Sequence, residues 1–550
     1  MQITNTVSKS AFPPTQGEDA SARKFAGELR KQRRYHRLIQ LRRATGFWWY
    51  RLLLIIIAGL ISSYLAPLFL ADPKIIIGGM GAIVLLFFVA KYADWGILLI
   101  AIFATAFFPA VLQVKSLSAS PEQPLIILLF SILVVQIVFH VREPVLPSFW
   151  SIWPWLGIIV LAFVSEIMIQ FTWTHLVPRK INNNPIYFDE IFGVALFFFP
   201  LITVLVTTIC ISSKKLLIEY IQRAYMILAV LAAIVIFYEF RRIGATIYTF
   251  RFSSPTILWM SLRALAQLLA LGVMLAYARF LYATTWRRRL IYGIVLACCL
   301  VGVYLTLENS WWLEVALALL VMTIAYSRRL LVYCCMAMLP FLPLVKSEFS
   351  KLQQVKSADS YRFIIWQDAL RVWGKQPLLG VGPGNFWAYD QRFTQLPFYL
   401  RNFNKTGLGV AHNGFLQILG ELGPIGLFFY LSFIVVIIVV SIRMFRRSRV
   451  QKVTTSKNRL RWLDLHFYAE SEQRLDRMLA LVSLGLICGS AVGDFFAGSF
   501  FLQPRQIGGF NDLPQVLTSW IIWGCVLYKD QVWRNARKKL RYEGKIAAGI

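Results

Sequence analysis

The sequence predicts an all-α, polytopic membrane protein, and three observations predict it. The chain of 550 residues is 58% hydrophobic and only 15% charged, with a mean hydropathy of +0.60, whereas soluble proteins carry roughly a quarter charged residues. Apolar runs approaching the ~20 residues that a helix needs to cross a bilayer recur from end to end. The basic residues, which give a net charge of +30, gather between and beyond those runs. Such placement fits loops held on the cytoplasmic side and in contact with anionic lipid heads, rather than nucleic-acid binding.

Fourteen spans can be placed, at about 52–71, 75–92, 95–112, 124–141, 152–171, 190–212, 216–239, 257–281, 290–307, 311–326, 329–345, 424–442, 478–496 and 514–528. The fold class is therefore about 12–14 transmembrane helices with one long periplasmic loop. Residues 1–51 form a basic arm with eleven Lys/Arg, either an amphipathic surface helix or a charged tail. Residues 1–20 lack the apolar core of a signal peptide, so the first apolar run is expected to act as an uncleaved anchor. With the arm cytoplasmic, alternation puts Lys214–Lys215, Arg287–Arg289, Arg328–Arg329, segment 443–477 and the tail 529–550 on that same side, as the positive-inside rule requires. The expected organisation is the arm, helices 1–11 over 52–345, a periplasmic loop and re-entry at 346–423, a helix at 424–442, the basic segment 443–477, two last helices within 478–528, and the tail. Both termini then face the cytoplasm. Leu460, Trp462, Leu463, Phe467 and Tyr468 suggest an interfacial helix inside the basic segment, suited to anchoring or to docking an assembly partner.

The seven cysteines all fall in apolar runs, so neither a disulfide framework nor a zinc spacing emerges. No phosphate-binding GxxxxGK[ST] loop, HExxH or nucleophile elbow is present. Gly380-Val-Gly-Pro-Gly384 lacks the strand and crossover helix of a dinucleotide site and reads as a tight turn set by Pro377, Pro383 and three glycines. Segment 346–413 is rich in Trp, Phe and Tyr, which argues against disorder. It reads as a folded lid with a helix around 360–374, and it carries nine Lys/Arg against four Asp/Glu.

Within Ser360–Gly426 several elements follow in a fixed order: Tyr361-Arg362, Trp366, Pro377-Leu-Leu-Gly-Val-Gly-Pro-Gly-Asn385, Ala411-His412-Asn413, Leu416-Gln417, Glu421-Leu-Gly423 and Gly426. This combination resembles the O-antigen ligase and polymerase superfamily, which includes protein O-oligosaccharyltransferases and exopolysaccharide polymerases. The resemblance implies a GT-C-like glycosyltransferase of the bacterial inner membrane. Such an enzyme takes a glycan from undecaprenyl pyrophosphate at the periplasmic face and gives it to an acceptor hydroxyl on lipid A core, another lipid, a protein or a growing glycan. It implies no cofactor and no obligatory metal.

A polyprenyl pyrophosphate is a dianion on an apolar tail, so its site needs cations beside an apolar groove. Arg362, with a planar fork suited to phosphate, is the leading anchor; an ordinary surface arginine is the alternative. Arg251, in Phe250-Arg-Phe-Ser-Ser-Pro255, resembles an Arg-x-Ser-Gly…Pro element of the family, with Ser254 in place of glycine. Arg263 lies deeper, where a charge is costly; it either contacts pyrophosphate or pairs with Glu239 or another buried acid. His412 is the candidate base toward the acceptor hydroxyl, or as imidazolium a partner of the leaving pyrophosphate. Asn413 and Gln417 are candidates to orient it or to bind sugar, Trp366 is a further candidate sugar contact, and Asn385 is expected to cap the turn. Asp494 is a buried acid that either supports His412 or a cation, or makes a structural contact. One departure stands out: Asn309-Ser310-Trp311-Trp312 puts Trp311 where the family pattern has arginine. A chain-extending polymerase shares all these signals with a ligase. A polysaccharide transporter, or a non-catalytic component of an assembly complex, is the reading from another class.

Overall fold

A computed structural model describes residues 45, 48–49, 52, 56, 88–105, 112–114, 117–119, 122–172, 180–181, 184–185, 187–243, 256–257, 260–306, 309–338, 357–386, 411, 413–450, 460–497 and 513–547. The predicted spans 52–71 and 75–92 lie almost wholly outside them, as does most of the basic arm. Two compact units divide the chain. Met1–Leu86 with Ser131–Glu143 makes one, in which the described positions between 45 and 56 are helical and His140 turns the chain with φ 57°. Phe87–Phe130 with Pro144–Ile550 makes the other, which holds most of the described helices.

The fold is all-α, as the sequence predicts. The described helices, some of which match single predicted spans, are α1 (Ala93–Phe103), α2 (Glu122–Val138, shared with the first unit), α3 (Phe149–Thr172), α4 (Tyr187–Ser213), α5 (Leu217–Ile243), α6 (Leu262–Tyr282), α7 (Trp286–Leu305), α8 (Asn309–Tyr326), α9 (Arg328–Met338), α10 (Ser357–Lys375), α11 (Gly414–Val450), α12 (Leu460–Ala497) and α13 (Leu513–Ala547). Three antiparallel hairpins of two or three residues a strand, Leu112↔Ala119, Lys180↔Pro185 and Thr256↔Ser261, join helices. Six helices among the described residues are long and apolar enough to cross a membrane. The chain is a multi-pass membrane protein.

Two boundaries differ from the sequence reading. After residue 443, α11 runs on to Val450, and Leu460–Tyr468 are helical as the first turns of a helix continuous with the following span, α12. Likewise α13 continues through the basic tail to Ala547. Charge ends the membrane-compatible stretch, but Lys, Arg, Gln and Ala are good helix formers and do not end the helix.

Interior helices reveal themselves by being apolar all round. Leu265, Leu268, Leu269, Leu271, Val273, Met274 and Ala276 of α6 are all buried, and α6 packs against α5, α7, α8 and α12. Gly272 sits where a Cβ would overlap Ala229 of α5 and lie 3.2 Å from Cys299 Sγ of α7, so glycine sets this three-helix approach. A second small-residue stripe, Gly485, Gly489 and Gly493 on α12, meets Met322, Ala318 and Glu314 on α8. Bonds between hydroxyls, Tyr277–Thr323 at 2.7 Å and Ser441–Ser483 at 2.8 Å, add polar links between helices.

Trp155, Phe433, Trp520 and Trp523 form an aromatic knot joining α3, α11 and α13. Phe433 stacks on Trp520 at 4.7 Å, and Trp155 meets the same indole edge-on at 4.5 Å. At one end of the bundle Asp530, 2% exposed, gathers Arg447 at 2.7 Å and Arg534 at 2.7 Å. Arg447 lies 3.4 Å above Trp533, Lys529 pairs with Asp476 at 2.8 Å, and Arg477 donates to Ser448 O. These contacts fix the basic ends of α11, α12 and α13 together.

The glycine contacts make a test. Gly272→Ala is expected to lower the thermal unfolding midpoint, with an overpacking loss of about 1–3 kcal/mol. Gly293→Ala, whose Cβ would meet nothing closer than 3.7 Å, is expected to leave it unchanged.

Candidate functional site

The site is built on a broken helix. Pro424 has no N–H, so the carbonyl of Gly420 cannot make its intrahelical bond. Gly423 takes φ 67° and ψ −171°, a conformation glycine reaches without a Cβ penalty. The chain therefore leaves one short helical arm, 414–422, and starts another at Pro424. The arms fold back on each other: the Phe415 and Tyr430 rings lie 5.3 Å apart, whereas fifteen residues of straight helix would separate them by roughly 22 Å.

The freed carbonyls are taken by the glycine-rich turn. Val381 N–H donates to Gly420 O at 2.9 Å and Gly382 N–H to Glu421 O at 2.8 Å. Gly380, with φ 67°, lies so close that a Cβ would overlap the Glu421 carbonyl, and one on Gly423 would overlap Leu378 O. Ser165 of α3 holds the turn through Leu379 O at 3.0 Å. Ala369 and Val372 of α10 pack with Val381, Phe386 and Ala411 into a small core.

The short arm is capped. Asn413 Oδ1 accepts from Leu416 N–H at 3.0 Å, the bond an N-cap makes. Gln417 Oε1 accepts from Ala411 N–H at 2.8 Å, and its Nε2 donates to Glu421 Oε1 at 2.6 Å. The Gly384 amide also donates to the Glu421 carboxylate. The strand of chain at Ala411 is thus tied through two buried side chains to the turn, and Asn413 and Gln417 both have structural bonds.

Asp494 of α12 closes the site from the other side. It is fully buried, accepts from Tyr430 Oη, and lies against Gly414, where a Cβ would be 2.9 Å from Oδ2. A carboxylate is favoured beside a helix N-terminus. One turn earlier on α12, Ser490 donates to Glu314 Oε1 of α8 at 2.8 Å. Glu314 is 2% exposed, and the glycine stripe makes room for it. Sequence reasoning passed over Glu314 and Tyr430. The sequence signal for Glu314 was an acid inside an otherwise apolar span; that it faces a Gly-x-x-x-Gly-x-x-x-Gly run is a tertiary contact.

The other predicted residues are placed as follows. Trp366 stands on α10, 5.4 Å from the Phe363 and Phe495 rings, with its Nε1 buried and without a partner. Asn385 is buried in the turn; its N–H bonds Gly382 O at 3.2 Å, while its Nδ2 has no partner. Trp311, in the first turn of α8, is 2% exposed with an unpartnered Nε1. Arg362 belongs to α10, one turn before Trp366, and Arg263 to the first turn of α6; their side chains, and all of Arg251 and His412, lie outside the described residues. His412 falls between Ala411 and Asn413, both of which are buried.

The decisive feature is the order in which helix, glycine turn and kinked re-entry follow one another. Residues 294–431, from within α7 to just past the kink, match the family described as O-antigen ligase. The match supports membership of the O-antigen ligase superfamily. No curated protein matches it. Members of this superfamily are glycosyltransferase-like membrane enzymes, and the turn, the capped arm and the Gly423–Pro424 break all lie inside the matched stretch.

The turn and the kink predict a sharp contrast. Gly380→Ala or Gly423→Ala is expected to unfold this end of the protein, seen as rapid proteolysis between α10 and α11. Gly374→Ala, near the end of α10 with nothing within 4 Å of its Cβ, is expected to be neutral or to stabilise by up to about 1 kcal/mol.

Proposed function

We propose that this protein transfers a glycan from undecaprenyl pyrophosphate to an acceptor hydroxyl at the periplasmic face of a bacterial inner membrane, as an O-antigen ligase-like transferase of the GT-C type. The acceptor oxygen bonds the anomeric carbon, the bond from that carbon to the pyrophosphate oxygen breaks, and undecaprenyl pyrophosphate departs. His412 takes the hydroxyl proton. Arg362, Arg251 and Arg263 hold the pyrophosphate, and Trp366 and Asn385 contact the sugar with the donor groups they leave free.

The observation that supports this reading is the setting of the His412 position. It immediately precedes a helical arm whose N-cap is Asn413 and whose first residue meets the buried Asp494 carboxylate. Asp494, held by Tyr430, would act as a positioning residue, its carboxylate stabilising the imidazolium formed once His412 has taken the proton. The motif lies at the end of the α11–α12 pair away from Arg447, Arg477 and Asp530. Pro424 and Arg447 are 23 residues apart, roughly 35 Å of helix, enough to cross the ~30 Å of a bilayer core. With the basic end cytoplasmic, the motif faces the periplasm. On this reading 346–423 carries the site, and the basic arm and tail are assigned to the cytoplasm by the positive-inside rule.

Purified protein in lipid, given a labelled undecaprenyl-pyrophosphate glycan with and without lipid A core, tests the proposal. Core-dependent transfer is expected, falling by roughly 10²–10⁴-fold in His412→Ala, the range of a lost general base. A ladder of longer lipid-linked chains formed without core would replace the ligase by a polymerase. Full activity in His412→Ala would sink the assigned chemistry, and retained glycan export without transfer would move the protein to the transporter class.

A further inference from the structure

A second polar cluster lies at the opposite end of the bundle from the ligase motif, where α5 begins, α6 ends and α7 begins. Arg279, in the last turn of α6, is 7% exposed. Its partners among the described residues are neutral: Nη2 donates to Gln222 Oε1 of α5 at 3.1 Å, Nη1 to Tyr292 Oη of α7 at 3.4 Å, and the guanidinium lies 5.9 Å from the Tyr292 ring centre. The nearest acid along α5, Glu219, is paired with Arg223.

Two donor groups here have no acceptor among the described residues. Arg279 Nε and Gln222 Nε2 are buried and unpartnered, and Gln222 is 2% exposed. Buried polar groups are almost always satisfied, and a buried cation is ordinarily paired. A buried arginine whose described partners are neutral, beside another unused donor, has the chemistry of an anion-binding site.

Position narrows the class of anion. Arg279 is three residues from the end of α6, Gln222 five from the start of α5 and Tyr292 six from the start of α7, depths of roughly 5–9 Å from the helix ends. That is where the bilayer gives way from hydrocarbon to head groups. Arg287, Arg288 and Arg289 are exposed on the first turn of α7, where cations oppose the helix dipole and a bound anion would relieve them. Arg289 bends toward the same corner, its Nε donating to Ala283 O at 3.2 Å. Tyr292 is only half-buried and gives the guanidinium an opening toward lipid.

We propose that Arg279, Gln222 and Tyr292 form a binding site for a phosphate group carried by an anionic membrane lipid, on the basic face of the protein and separate from the ligase motif. The guanidinium and the Gln222 amide donate to the phosphate oxygens, and the acyl chains lie along the exposed Leu290, Ile291 and Ile294 of α7. This assignment does not depend on the transfer reaction and stands or falls apart from it.

The test uses the full chain, delipidated in detergent, with phosphatidylglycerol, phosphatidylcholine and inorganic phosphate as separate probes. Native mass spectrometry is expected to show phosphatidylglycerol held on the order of tenfold or more tighter by wild type than by Arg279→Met, the worth of one charge-assisted hydrogen bond. Phosphatidylcholine is expected to bind both alike. Gln222→Leu, which removes the neighbouring donor and leaves the arginine, is expected to weaken phosphatidylglycerol too, and it carries the test if Arg279→Met fails to fold. Saturable binding of inorganic phosphate that Arg279→Met abolishes would assign the same site to a free anion. Equal retention of phosphatidylglycerol by wild type and both variants, with no phosphate binding, would overturn the proposal.

Discussion

The exchange of backbone hydrogen bonds between the glycine-rich turn and the Gly423–Pro424 break is the interaction on which the rest of this end of the molecule depends. Proline removes one helical donor, and the glycine redirects the chain. Two carbonyls, of Gly420 and Glu421, are then left in an apolar interior where an unmade bond is expensive. Val381 and Gly382 supply the missing donors. Nothing with a side chain at position 380 comes close enough to allow this. The kink and the turn are therefore one device written in two separate stretches of sequence.

From that device follow the other placements. The short arm folds back, bringing Phe415 to Tyr430 and Gly414 to Asp494. The turn draws α10 down through Ala369 and Val372, which carries Trp366 to Phe495. The buried pair Gln417–Glu421 ties Ala411 to Gly384, so the chain on either side of His412 is held by structure rather than left to a loop. Family motifs that look like scattered small and polar residues are, in this fold, mostly a scaffold. Asn413 caps, Gln417 and Glu421 satisfy backbone amides, and the glycines admit close approach.

The molecule is polar in two places for different reasons. At the motif end, acids dominate the described interior: Glu314, Glu421 and Asp494 are bonded to hydroxyls and amides, which suits a site where cations arrive from elsewhere in the chain. At the other end arginines dominate. Asp530 pairs with Arg447 and Arg534, while Arg279 has no such acid among the described residues. That asymmetry separates a structural charge network from the proposed anion-binding site.

The all-α class, the approximate position of most described helices, the helix in the long loop and the motif itself were legible in the sequence. Hydrophobic run length and the conformational demands of proline and glycine are local properties, readable one segment at a time. Local reading failed where charge met helix propensity, so the basic ends of α11 and α13 looked like a segment and a tail, and the helix at Leu460–Tyr468 looked separate from the span it continues into. It also missed Glu314, because the worth of an acid in an apolar span depends on what faces it. Only the tertiary structure decided that Gly489 and Gly493 would open a place for Glu314, that Asp494 would lie against Gly414, and that Arg279 would meet Gln222 and Tyr292 rather than a carboxylate. Those are contacts between residues tens to hundreds of positions apart, fixed by helix packing, and no pattern along one helix encodes its neighbour.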